Sequence, residues 1–131
     1  MTMDFVLRPR SGIFEPNADV VLDEAGGQVL VAIEVPGADP ESLRVSIDER
    51  SLVIVGRRSI GARLRCGSFV QKEIYDGEFA KRIALPVAID YGDLVANYAD
   101  GVLVIVLPIA ATAYVPTART EIRMIIKRTH S

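Results

Sequence analysis

The 131-residue sequence contains no tryptophan, one cysteine (Cys66) and one histidine (His130). A single cysteine forms no disulfide within the chain, which suits a reducing compartment and a cytoplasmic location. There is no Cys/His cluster at metal-ligand spacing and no glycine-rich phosphate loop, so neither a metal nor another cofactor is expected. Catalysis has little material. His130 is next to last, Cys66 has arginines Arg63 and Arg65 beside it but no histidine, and Asp90 and Asp93 read as solvated turn residues. The chain is expected not to be an enzyme. Half of the residues are hydrophobic, yet no apolar run approaches the roughly 18 needed to span a membrane. The first residues, MTMDFVLRPRSG, lack the apolar stretch and small-residue cleavage site of a signal peptide. Basic and acidic residues nearly balance, at a net charge of -2. The densest basic stretches, Arg57-Arg58 and Arg63-Leu64-Arg65, lack interleaved aromatics, so neither nucleic acid nor membrane is expected as a partner.

What the sequence does have is alternation. Ala18, Val20 and Leu22 alternate with Asp19, Val21 and Asp23. Val29, Val31, Ile33 and Val35 share one face of the next stretch, and Leu43, Val45 and Ile47 alternate with Arg44, Ser46 and Asp48. A further strand is expected from Leu52, and others at 69–75, 78–85, 94–99 and 102–107, with Gly, Pro, Asp and Asn between them. Asp39-Pro40-Glu41-Ser42 is one helical turn at most. About eight short strands with regular turn signals indicate an all-β fold, an antiparallel immunoglobulin-like β-sandwich. Residues 102–107 are apolar on both faces and follow the turn Asp100-Gly101, so this strand must be central or covered by another chain. Pro108 ends it.

Five stretches, in order, resemble the α-crystallin domain of the small heat-shock proteins. They are FEPNADVVLDEAGGQVLVAIEVPGADPESLRVSID, RSLVIVGRR, YDGEFAKRIALP, LVANYADGVLVIVLP and the tail segment EIRMII. The fourth carries the family signature in Ala96, Gly101, Val102 and Leu103. The resemblance implies an N-terminal arm (1–13), an α-crystallin domain (14–108) and an extended C-terminal tail (109–131). It further implies an ATP-independent chaperone, a holdase, that binds partly unfolded client proteins in the stress response. Homo-dimers are the implied building blocks of a larger homo-oligomer.

Family dimers exchange a loop strand, for which the matching segment is 59–68, with Ile60, Ala62 and Leu64 alternating; a plain surface hairpin is the alternative. The tail anchor would be Ile122, Met124 and Ile126, a departure from the family's Ile-x-Ile/Val pattern because of Met124. A short helix capped by Thr120 is the alternative there. The groove for the tail is expected between the strands at 43–47 and 79–85, lined by Val45, Ile47, Ile83 and Leu85. Client contact falls to the apolar residues of the short arm, Phe5, Val6, Leu7 and Ile13. The rival reading keeps the fold and makes the chain a docking co-chaperone, whose relatives generally lack the apolar tail motif.

Overall fold

The computed structural model describes residues 13–60, 66–92, 94–111, 120–122 and 124–129. In chain order the strands are β1 (Ala18–Asp23), β2 (Gln28–Glu34), β3 (Arg44–Asp48), β4 (Ser51–Arg58) and β5 (Gly77–Ala84). They continue with β6 (Leu94–Ala99), β7 (Val102–Pro108), β8 (Thr120–Ile122) and β9 (Met124–Thr129). These form two sheets, a five-stranded one in the order β1-β2-β7-β6-β9 and a four-stranded one in the order β5-β4-β3-β8. Every pairing is antiparallel except that of β6 with β9. The result is the expected all-β sandwich.

The alternating apolar residues face each other across it. Val29, Val31 and Ile33 of β2 and Leu103, Ile105 and Leu107 of β7 are completely buried, against Val45, Ile47, Leu52, Ile54 and Phe79 of the other sheet. Each such side chain contributes about 1.5–3 kcal/mol by leaving water. β7 is central, with β2 on one side and β6 on the other, which accounts for its apolar character on both faces. β4 is likewise central, and Leu52, Val53 and Ile54 are all buried. Gly56 belongs to the same core: a Cβ there would lie 2.5 Å from Phe79 Cζ, so only glycine lets the ring in.

The turns follow their residues. Asp100 and Gly101 both have positive φ (53° and 79°), the two-residue turn that matches strand twist. Asp39 caps a one-turn 3-10 helix, Pro40–Ser42, its carboxylate accepting from Glu41 N. Two expectations differ from the structure. Residues 69–75 form no strand, and β1 is exposed on both faces although it alternates like a half-buried strand. The reason for the second is topological. β1 is the outermost strand of the wider sheet, so its inward side chains Val20 and Leu22 lie beyond the cover that keeps Val31 and Val29, their register partners, dry.

Candidate functional site

Among the described residues no group of three or more His, Cys, Asp or Glu side chains is placed to hold a metal, and no helix is long and apolar enough to cross a membrane. What the fold offers a partner is strand edges and apolar surface. Among the described residues nothing pairs with the outer edge of β1, whose Val20, Val21 and Leu22 are exposed at 41, 52 and 40 %. An open strand edge pairs readily with another extended chain, and three adjacent aliphatic residues add apolar contact to those backbone bonds. The acids that flank this strand are Asp19 and Asp23. The Asp23 carboxyl accepts from Gly26 N (2.9 Å) and Gln28 Nε2 (3.1 Å), and these hydrogen bonds, the backbone one first, hold its pKa below the usual 3.8.

A second exposed apolar group lies in the segment before β5. Phe69, Val70 and Ile74 are largely solvent-exposed, with the Lys72 ammonium 5.1 Å from the Phe69 ring centroid. This segment hangs from a pinned neck. Ile60 N donates to Asp76 Oδ1 (2.7 Å), and Arg58 Nε donates to the Tyr75 carbonyl (3.0 Å). The buried Arg58 guanidinium also sits 4.8 Å over the ring of Phe14, which stacks on Tyr75 at 5.6 Å. Phe14 is itself paired with β5, through Phe14 N to Glu78 O and Ala80 N to Phe14 O. The chain entry, the end of β4 and the loop are therefore tied at one point. Of the expected loop residues, Ile60 is half-buried in this neck, and Ala62 and Leu64 lie outside the described residues.

The tail runs along the opposite side of the sandwich. Thr120–Ile122 pairs antiparallel with β3, Ile122 opposite Val45, and Met124–Thr129 pairs in parallel with β6, Met124 opposite Leu94 and Ile126 opposite Ala96. The segment around Ile122, Met124 and Ile126 is thus extended, not the helix that a Thr120 cap would start, and it closes one edge of each sheet in its own chain.

The edges it occupies correct the expected groove. Its two sides are β3 and β6; β5 is not one of them, because β4 lies between β3 and β5. Val45, Ile47, Ile83 and Leu85 are at most 8 % exposed and belong to the sandwich core. The physical reason lies in β4, which is apolar on both faces and takes the central place.

The signature residues do structural work. Ala96 and Leu103 are fully buried, and Val102 is half-buried on the outer face beside the turn. A Cβ on Gly101 would come within 3.0 Å of Pro36, and its carbonyl accepts from Val35 N (2.8 Å). The residue that sequence reasoning passed over is Tyr98. Its hydroxyl donates to Val35 O (2.7 Å) and accepts from Ala38 N (3.1 Å), fixing the crossing from one sheet to the other. Phe5, Val6 and Leu7 lie outside the described residues, and Ile13 is exposed beside the neck.

Comparison with known proteins bears on this arrangement directly. The model of the Hsp20/alpha crystallin family matches residues 22–124. The chain belongs to that family. It is 29 % identical over 96 residues to small heat shock protein C4 of Rickettsia felis, covering 73 % of this chain and 58 % of that protein. The solved hspA of Xanthomonas axonopodis superposes with a TM-score of 0.64 at 28 % identity, over 76 % of this chain and 98 % of the other. A small heat-shock protein from Xylella fastidiosa does so with a TM-score of 0.61 at 29 % identity, over 76 % and 89 %. The chain spans about three-fifths of the length of the curated relatives it matches (58 and 60 %).

Proposed function

We propose that this small heat-shock protein is an ATP-independent holdase that captures partly unfolded proteins and has no enzymatic activity. The observation that carries the reading is the uncovered apolar edge, Val20, Val21 and Leu22 on β1, in a family whose members are named for heat shock. Unfolding clients expose apolar side chains and unpaired strand edges, and a complementary edge competes with their self-association. The working location is the cytoplasm.

The same edge serves assembly. In the proposed homo-dimer β1 of one copy receives an extended loop segment of the other. The candidates are the expected residues Ile60, Ala62 and Leu64 and the neighbouring Phe69, Val70 and Ile74, which are exposed in the single chain. Larger oligomers then arise by tail exchange. Residues 109–119 reach about 36 Å when extended, enough for Ile122, Met124 and Ile126 to occupy the β3 and β6 edges of a neighbour in place of their own. The Xylella relative is described as having a distinct high order structure, which supports a homo-oligomeric reading.

The test is suppression of light scattering from an unrelated heat-labile enzyme, without ATP, together with the molar mass of the full chain. Suppression near one chain per client and a mass above that of the 14.3 kDa monomer are expected. A monomer without protective effect would overturn the reading in favour of a docking co-chaperone.

A further inference from the structure

The outer face of the four-stranded sheet carries a groove of about 200 Å³ whose lining includes Ile13, Ser42, Val55, Arg57, Glu78 and Ala80. Strand registers account for its shape. Val55 of β4 lies opposite the small Ala80 of β5 on one side and opposite Arg44 of β3 on the other, and Arg57 lies opposite Glu78. Val55 is 37 % exposed, the one large apolar side chain so exposed among the described residues of β3, β4 and β5. Ile13, at the margin of the groove, is exposed to the same extent. Around this apolar strip the face is charged: Arg57 pairs with Asp39 (3.0 Å) and Arg82 with Asp48 (3.2 Å).

Size, charge and the course of the chain decide what fits. The volume is below the roughly 300–1,000 Å³ of a small-molecule pocket, and the charged rim is unlike the core of an interface between folded proteins. A narrow apolar strip with charge beside it suits an extended segment. The chain supplies one at that spot. Phe14 is held at the β5 edge through Phe14 N to Glu78 O and Ala80 N to Phe14 O, so residues 1–12 depart from the margin of the groove itself, at Ile13. The other long stretch outside the described residues, 112–119, arrives at the opposite end of β3, where Thr120 faces Ile47, whereas the groove lies at the Arg44 end.

The sequence of the first residues fits the groove. Ser11-Gly12 supplies turn residues immediately before Ile13, and Phe5 and Leu7 share one face of an extended segment. From Ile13 to Leu7 is about 20 Å of extended chain, while β4 is about 10 Å from the Phe14 segment, which leaves chain for the reversal. Glu78 is exposed, and among the described residues its carboxylate is in no ion pair, since Arg57 across from it turns to Asp39. Arg10 is the nearest cation upstream of Ile13.

We propose that this groove is the docking site of the chain's own N-terminal segment. Leu7 and Phe5 lie across Ala80 and Val55, and Arg10 pairs with Glu78. The segment read as client-binding is thereby stored on the sheet from whose edge it leaves. Docking needs neither a client nor a second copy, so its failure and that of the holdase reading are distinguishable.

The test uses the full chain with a photoreactive benzoylphenylalanine in place of Leu7. ¹⁵N-labelled and unlabelled chains are unfolded, mixed in equal amounts and refolded together. Irradiation should join position 7 to Ser42, Val55 or Ala80, and only within chains of one isotope. Val55→Lys should lower that yield about tenfold, the loss expected from placing charge where aliphatic contact was, while Val95→Lys on the other sheet leaves it unchanged. Should Val55→Lys lose its far-UV circular dichroism, Arg10→Glu decides, since it lies outside the sheets. It should lower the yield about threefold, and Arg10→Glu combined with Glu78→Arg should restore it. Crosslinks only to Phe69, Val70 or Ile74, or only to the five-stranded sheet, would overturn the proposal. So would products that mix the isotopes, or yields indifferent to these substitutions.

Discussion

Replacing Tyr98 by Phe removes one oxygen and leaves the ring in place. That oxygen holds Val35 O at 2.7 Å and Ala38 N at 3.1 Å, partners 63 and 60 residues away in sequence. Val35 is completely buried and Ala38 is 8 % exposed, so neither backbone group has easy access to water once the hydroxyl is gone. Each hydrogen bond contributes about 0.5–1.5 kcal/mol net, and the two groups left behind keep only their long 3.4 Å bond to each other, Ala38 N to Val35 O, so a loss of about 2 kcal/mol is expected. For a domain of this size that is a fall in Tm on the order of 10 °C. Tyr75→Phe is the comparison: its hydroxyl donates to Glu78 O only three residues away, at an exposed position, and a cost below about 1 kcal/mol is expected. Urea unfolding of both variants, at one fixed protein concentration because assembly shifts apparent stability, measures the difference. A Tyr98→Phe variant no less stable than Tyr75→Phe would refute the view that this hydroxyl fixes the crossing between sheets.

Four further outcomes are expected. Phe79→Ala should cost about 3–5 kcal/mol in the same urea assay, because the ring is 1 % exposed beside Gly56, and a cost under 1 would mean that the core there is not closely packed. Gly101→Val should lose about 2 kcal/mol or more by combining a φ of +79° with contact against Pro36, and wild-type stability would contradict the turn geometry. The depressed Asp23 pKa means that its hydrogen bonds contribute at pH above the usual 3.8 and are lost as pH falls through the lower folded value. The Gly26 amide resonance should therefore shift with a midpoint below 3.8 by NMR, and should not shift in Asp23→Asn. Removing residues 109–131 should reduce the molar mass toward a dimer by light scattering, and an unchanged mass would sink tail exchange.

The sandwich was readable where a strand's own pattern decides its burial. Val29 to Val35 and the doubly apolar 102–107 sit as their alternation implies, as do Leu43, Val45 and Ile47, although Ser46 between them is buried as well, and Asp100-Gly101 makes the turn its residues favour. The pattern misled where burial depends on a neighbour. Ala18, Val20 and Leu22 alternate as well as any strand, yet Val20 and Leu22, on the outermost strand of their sheet, stay 41 and 40 % exposed. Adjacency was the weakest point of the site. Val45 and Ile83 look alike in sequence, and only the order β5-β4-β3-β8 shows that their strands never meet and that β6 is the other side of the tail's seat. A clue was present in Leu52-Val53-Ile54, whose unbroken apolar run marks β4 as central. Tyr98 had no such clue, because its two partners are brought to it only by the closed fold.

The central claim is that the apolar β1 edge is a working surface for association. Light scattering of the full chain against the Val20→Asp/Leu22→Asp double variant tests it most directly, since both side chains are exposed and their replacement leaves the core intact. The account predicts a homo-oligomer for the full chain and a shift toward the 14.3 kDa monomer for the variant. An identical mass for the two, or a monomeric full chain, would contradict it.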